Sequence, residues 1–159
     1  MATRKKAVKK KVAKKVIKKA PVKKAPAKKK PAPSKFYTFR QNNSFGKFDY
    51  DPKKGISVNV IVEANSIEDA NTRAENIGLY FDGRGDCPCC GNRWSEQYDY
   101  SGKDDSTPVP SIYDEEVKPD ETFPGPKKGE KFGPIKWTSK KQFDGFIHYK
   151  NGTIAGFWR

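Results

Sequence analysis

No aspartate, glutamate, phenylalanine, tyrosine or tryptophan occurs in the first thirty-five residues. With no acid to pair its lysines and no ring to bury, that stretch cannot offset its chain entropy by packing. It is expected to be disordered when free. Histidine occurs once, at position 148, so a histidine-rich metal site or a pair of catalytic histidines is excluded. The three cysteines, an odd number, fall within four positions, 87 to 90, which fits a reducing compartment better than a disulfide scaffold. No run approaches the eighteen apolar residues of a membrane-spanning helix. No apolar run of signal-peptide length follows the N-terminal charges, and the Lys/Pro pattern differs from an Arg/Ser-rich transit peptide. The expectation is a soluble, intracellular chain without a membrane partner. A phosphate-binding glycine loop and the serine and cysteine motifs of hydrolases are also missing, which points away from an enzyme.

What is present is charge, and it is segregated. Residues 1–35 hold sixteen cations: Arg4, Lys5, Lys6, Lys9, Lys10, Lys11, Lys14, Lys15, Lys18, Lys19, Lys23, Lys24, Lys28, Lys29, Lys30 and Lys35. The remaining 124 residues carry seventeen basic and nineteen acidic side chains. The formal charge of +14 is therefore a +16 tail on a core of −2. Such a tail calls for a polyanion, and the expected partner is DNA or RNA bound without sequence preference. Lysine is a mobile point charge and makes no bidentate fork to a base edge. Val8, Val12, Val16 and Ala20 recur at helical spacing, so the segment from Arg4 to Ala20 is expected to gain helix on a polyanion. Pro21, Pro26 and Pro31 keep the rest extended.

From Phe36 onward the composition is that of one small folded domain, 36–159, holding all ten Phe, seven Tyr and three Trp. The expected class is α+β: a small, mainly antiparallel sheet with one packed helix. Strands are read at 35–40 and 56–64, a short strand at 45–50, and another at 93–100. Asn65 or Ser66 caps a helix that Gly78 ends, and Leu79-Tyr80-Phe81 follows as a strand, completing a β-α-β unit. Asn151-Gly152 between two apolar runs marks a hairpin. Residues from about 101 to 134, rich in Pro, Gly and acids, read as a flexible acidic insertion.

Cys87-Pro88-Cys89-Cys90-Gly91 has the form of a zinc knuckle, with Cys87 and Cys90 at C-x-x-C spacing. One knuckle supplies two ligands, so a zinc site would need His148 and one carboxylate, or a second chain. The other readings are a tight turn whose thiols pack as small apolar groups, and a redox dithiol. The aromatic segments 36–39 and 98–100 are candidates for stacking on bases, though the core's slight negative charge opposes it.

The tail resembles, in composition, the tails of linker histones and the Lys/Ala/Pro-rich tails of bacterial histone-like proteins. The core is similar to a family of small uncharacterised proteins of tailed bacteriophages. Its matching segments are Phe36 to Ser44 with Gln41-Asn42-Asn43-Ser44, Val62-Glu63-Ala64, Leu79 to Gly83, Asp86-Cys87-Pro88-Cys89-Cys90-Gly91 before Arg93-Trp94, and more loosely His148-Tyr149. That resemblance implies a phage origin and expression in the host cytoplasm, and it supplies no activity. The functional expectation is a non-enzymatic, nucleoid-associated binding protein whose core contacts a host or phage protein. The alternatives are a factor acting on a host protein with incidental nucleic-acid binding, and a small zinc-binding module.

Overall fold

In the computed structural model the described residues are 33–43, 47–83, 85–86, 91–99, 105–125, 127 and 135–159. The first strand, β1 (Lys35–Arg40), pairs antiparallel with β2 (Asn59–Ala64). The helix α1 (Ile67–Ile77) follows directly. Two short strands, β3 (Ser111–Ile112) and β4 (Glu115–Glu116), form a hairpin of their own. Strand β5 (Glu121–Phe123) and the hairpin of β6 (Gly145–His148) and β7 (Ile154–Phe157) complete a sheet of order β1-β2-β6-β7-β5.

That sheet corrects the expected class. It is mixed, because its central pair β2/β6 is parallel, with Val60 opposite Phe146 and Val62 opposite His148. Among the described residues the protein is mostly sheet with one short helix, not a mainly antiparallel α+β domain. The strand read at Leu79-Tyr80-Phe81 does not form. Leu79 instead donates its N–H to Ala74 O at 3.0 Å, closing the end of α1, and packs with Tyr80 and Phe81 against the helix-side core. The parallel partner of β2 is supplied far downstream by β6. Residues 93–99 are likewise not a strand, although extended pairing is imitated by side chains. The Asn71 amide exchanges two 2.8 Å bonds with the Gln97 backbone, and Gln97 Nε2 donates to Thr38 O. Residues 47–50 hold no strand either, and 44–46 lie outside the described residues. Within the stretch read as an insertion, β3, β4 and β5 are ordered elements, and β5 is the sheet's edge.

The helix forms for local reasons. Ser66, extended at φ −152°, accepts from Asp69 N–H at 3.2 Å, and Glu68 and Asp69 sit where the helix dipole favours anions. Gly78 ends it at φ 117°, a left-handed conformation that glycine adopts without a Cβ penalty. Ala70 and Ala74 are fully buried and let α1 approach Val60, Val62, Tyr37 and Phe39 closely. The same sheet face carries a second cluster of Phe143, Phe146, Ile135 and Ile154 with Trp137. The opposite face packs Ile61, Ile147, Ala155 and Phe157 against Ile112 and Val117. Strand alternation thus sends Val60, Val62, Phe146, His148 and Ile154 to the helix side, and Thr38, Arg40, Ile61 and Ile147 to the β3–β4 side.

Candidate nucleic-acid interface

Of the sixteen tail cations only Lys35 falls within the described residues; Arg4 to Lys30 and the helix expected from Arg4 to Ala20 lie outside them. Lys35 opens β1 opposite Ala64. The residue before it, Ser34, accepts from Lys150 Nζ at 3.0 Å, and the same ammonium meets Asn65 Oδ1. The basic segment therefore joins the domain beside Lys150, where the β6–β7 hairpin turns.

Next to that junction the helix side of the sheet opens into a groove of about 450 Å³. Its walls are α1, the 52–55 turn and the β6–β7 hairpin. Lys53, Lys54 and Arg73 line it, above an apolar floor of Ile77, Ile135 and Ile154. No carboxylate lines it among the described residues; the exposed Lys54 pairs with Asp51 at 3.7 Å. Arg73 is held by a bond from Nη2 to Tyr149 O at 3.2 Å, and its buried Nε–H has no hydrogen-bond partner among the described residues. A second concavity continues from Lys53 and Ile135 to Trp137, Lys140 and Lys141, again without a carboxylate among the described residues. The concavity on the opposite sheet face differs: it holds Asp105 and Asp114 beside Arg40 and Tyr113. Tyr113 is 63 % exposed, and the guanidinium groups of Arg40 and Arg159 lie 5.2 and 5.4 Å from its ring centre. The two concavities thus differ in lining: cations with apolar residues in one, acids with an exposed ring in the other.

His148 stands beneath the groove. It is 6 % exposed, and as the neutral Nε2–H tautomer it donates to Gly55 O at 2.8 Å. Burial, with Arg73 nearby, drives its pKa down to about 4 against the opposing effect of the Gly55 bond, so the ring is uncharged at neutral pH. Gly55 has φ +70°, and a Cβ there would stand 2.8 Å from His148 Nε2 and 3.0 Å from Ile154 Cγ2. Gly55→Ala is expected to lower stability by about 2 kcal/mol, combining left-handed strain with overpacking. Urea denaturation of the variant beside the parent chain measures it.

The metal ligands proposed from sequence are not brought together by what is described. Cys87 and Cys90 lie outside the described residues, while the Nε2 of His148 is committed to Gly55. Among the described residues no group of three or more His, Cys, Asp or Glu is placed to hold a metal ion. The residues flanking the cysteines are firmly held. Asp86 accepts from Arg93 Nε at 2.9 Å, from Arg93 N–H at 3.1 Å and from Tyr80 Oη. Burial works against the charge of Asp86, and these bonds outweigh it, so the carboxyl stays below its usual range. Arg93 also reaches Gln41 Oε1 at 3.2 Å, and buried Gln41 binds the backbone of Asp49 and Ser57. The Gln41-Asn42 and Asp86…Arg93 motifs, forty-five residues apart in the chain, form one polar clamp. The aromatic segments give little to stack on. Tyr37 and Phe39 are buried, Phe36 packs edge-on against Tyr149, and Tyr98 alone is largely exposed among the described rings of the two segments.

The groove cations were missed by sequence reasoning. Lys53-Lys54 and Lys140-Lys141 are visible as pairs, but nothing local says that they share a side with Arg73.

A model of a domain of unknown function (DUF7296) matches residues 34–158, and the chain belongs to that family. The match starts one residue before β1 and leaves most of the basic segment outside it. No curated protein matches the chain. No solved structure matches it either. No helix among the described residues is long and apolar enough to cross a membrane.

Proposed function

We propose that this is a non-enzymatic nucleic-acid-binding protein of phage origin. Residues 1–35 attach it to DNA or RNA without sequence preference, in the manner of histone-like tails, and the folded domain supplies a contact to a host or phage protein. The setting is the host cytoplasm, at the nucleoid. The single observation that carries this reading is the charge segregation: sixteen cations and no acid in thirty-five residues, against −2 over the rest. Lysines spaced this densely gain affinity by releasing counterions from a polyanion, a term indifferent to sequence. The protein-contact role of the domain draws support from the sheet face that carries Tyr113, exposed among Arg40, Arg159 and acids. Exposed aromatic and arginine side chains of this kind are the common anchors of protein interfaces.

The reading predicts that full-length protein purified at low salt carries nucleic acid with it. Nuclease treatment should remove the ultraviolet absorbance of that nucleic acid and release any protein held only through it, while a partner of the folded domain stays bound. Protein that elutes free of nucleic acid at low salt before any nuclease would contradict the reading.

A further inference from the structure

We propose that the groove between α1, the 52–55 turn and the β6–β7 hairpin seats one nucleotide of a single-stranded nucleic acid; the inference rests on the nucleic-acid reading of the tail and gives the folded domain its own share of the binding. The phosphate lies against Arg73, Lys53 and Lys54, and the base lies on Ile77, Ile135 and Ile154. Three observations converge. Among the described residues the lining pairs Lys53, Lys54 and Arg73 with Ile77, Ile135 and Ile154 and includes no carboxylate. A solvated basic face would lack such a floor, and a purely apolar cleft would lack the cations. Arg73 is held at the groove wall, since its Nη2 donates to Tyr149 O at 3.2 Å. A guanidinium held at the groove wall in this way is a fixed cation, and a phosphate is its natural counterion. Finally, the basic segment joins the domain at Ser34 and Lys150, next to Tyr149 and Gly152 of the groove wall. A strand held by the tail therefore meets the groove at high effective concentration.

The apolar floor also selects the form of nucleic acid. A base can lie on it only when unstacked, which a single strand permits and a duplex does not. Beyond the first seat, Lys140, Lys141 and the half-buried Trp137 line the adjoining concavity and extend the track by a second nucleotide.

The test uses the full chain with oligo-thymidine as the single strand and a duplex of equal length. Lys53 and Lys54 are exposed, so the double variant K53Q/K54Q keeps the fold, which its amide spectrum verifies. Its affinity for the single strand should fall about fivefold or more. Its slope of log K on log salt should shrink by about 0.7 at most, the value for one lost phosphate contact on a single strand, because both lysines face the same phosphate. Its duplex affinity should change by less than about twofold, since the tail alone holds duplex. R73Q should show the same contrast. In the parent chain the amides of Gly152 and Thr153 should shift saturably with oligo-thymidine. Unchanged single-strand affinity in both variants would overturn the proposal, as would equal losses for both nucleic-acid forms, which would mean bulk charge only. Weak, salt-insensitive binding by the parent chain would instead strike at the tail reading.

Discussion

A chain whose sixteen tail cations are replaced by glutamine should lose affinity for duplex DNA by about 10⁴-fold or more at about 50 mM salt. The substitution changes formal charge from +14 to −2 without touching a residue of the folded domain other than Lys35. If about half the tail cations contact phosphate, each contributes one released counterion, and these contributions multiply in the binding constant. The groove cations remain, so the variant should keep a residual preference for single strands. Gel-shift or anisotropy titration of both chains with one labelled duplex measures the difference. Equal affinity would show that duplex binding does not come from the tail.

The second large effect concerns acid. His148 has a folded pKa of about 4, below its usual 6.5, because burial disfavours the imidazolium. The unfolded chain therefore binds a proton at higher pH than the folded one does. Stability from the neutral ring is complete above pH 6.5 and is lost as pH falls from 6.5 to 4. The full loss is about 3 kcal/mol. Glu68, Asp86 and Glu121 have carboxyls below their usual range, so their own losses come mainly at lower pH. In H148Q the amide can still donate to Gly55 O, but nothing at that position titrates. Denaturation midpoints between pH 7 and 4 should therefore fall steeply for the parent and much less for H148Q. Parallel curves would mean that the ring is not protonation-sensitive in the folded state.

Local signals were legible and long-range ones were not. Ser66 and Gly78 delimit α1 because a cap depends on residues within one turn. Asn151-Gly152 announced the β6–β7 hairpin for the same reason. The parallel pairing of β2 with β6 brings Ala64 and Gly145 into one sheet across eighty residues, and no periodicity records that. Leu79 to Phe81 has strand composition, but the residues serve as the helix-side core. Gln97 satisfies its backbone through Asn71, a side-chain pairing no propensity reveals. The candidate site follows the same division. The tail's charge is read directly from the chain. The groove requires Lys53, Arg73 and Lys140 to meet on one face, and a domain charge of −2 conceals it because the acids lie elsewhere. The alternation that sends Phe146 and His148 to one side was readable, while the Gly55 carbonyl that receives the ring was not.

The most direct test of the central claim is the salt dependence of duplex binding by the full-length chain. With about half of sixteen tail cations on phosphate, log K should fall linearly against log salt with a slope of roughly −7. Sequences of different base composition should give the same line. A slope near zero, or a line that shifts strongly with sequence, would contradict a tail that binds through counterion release.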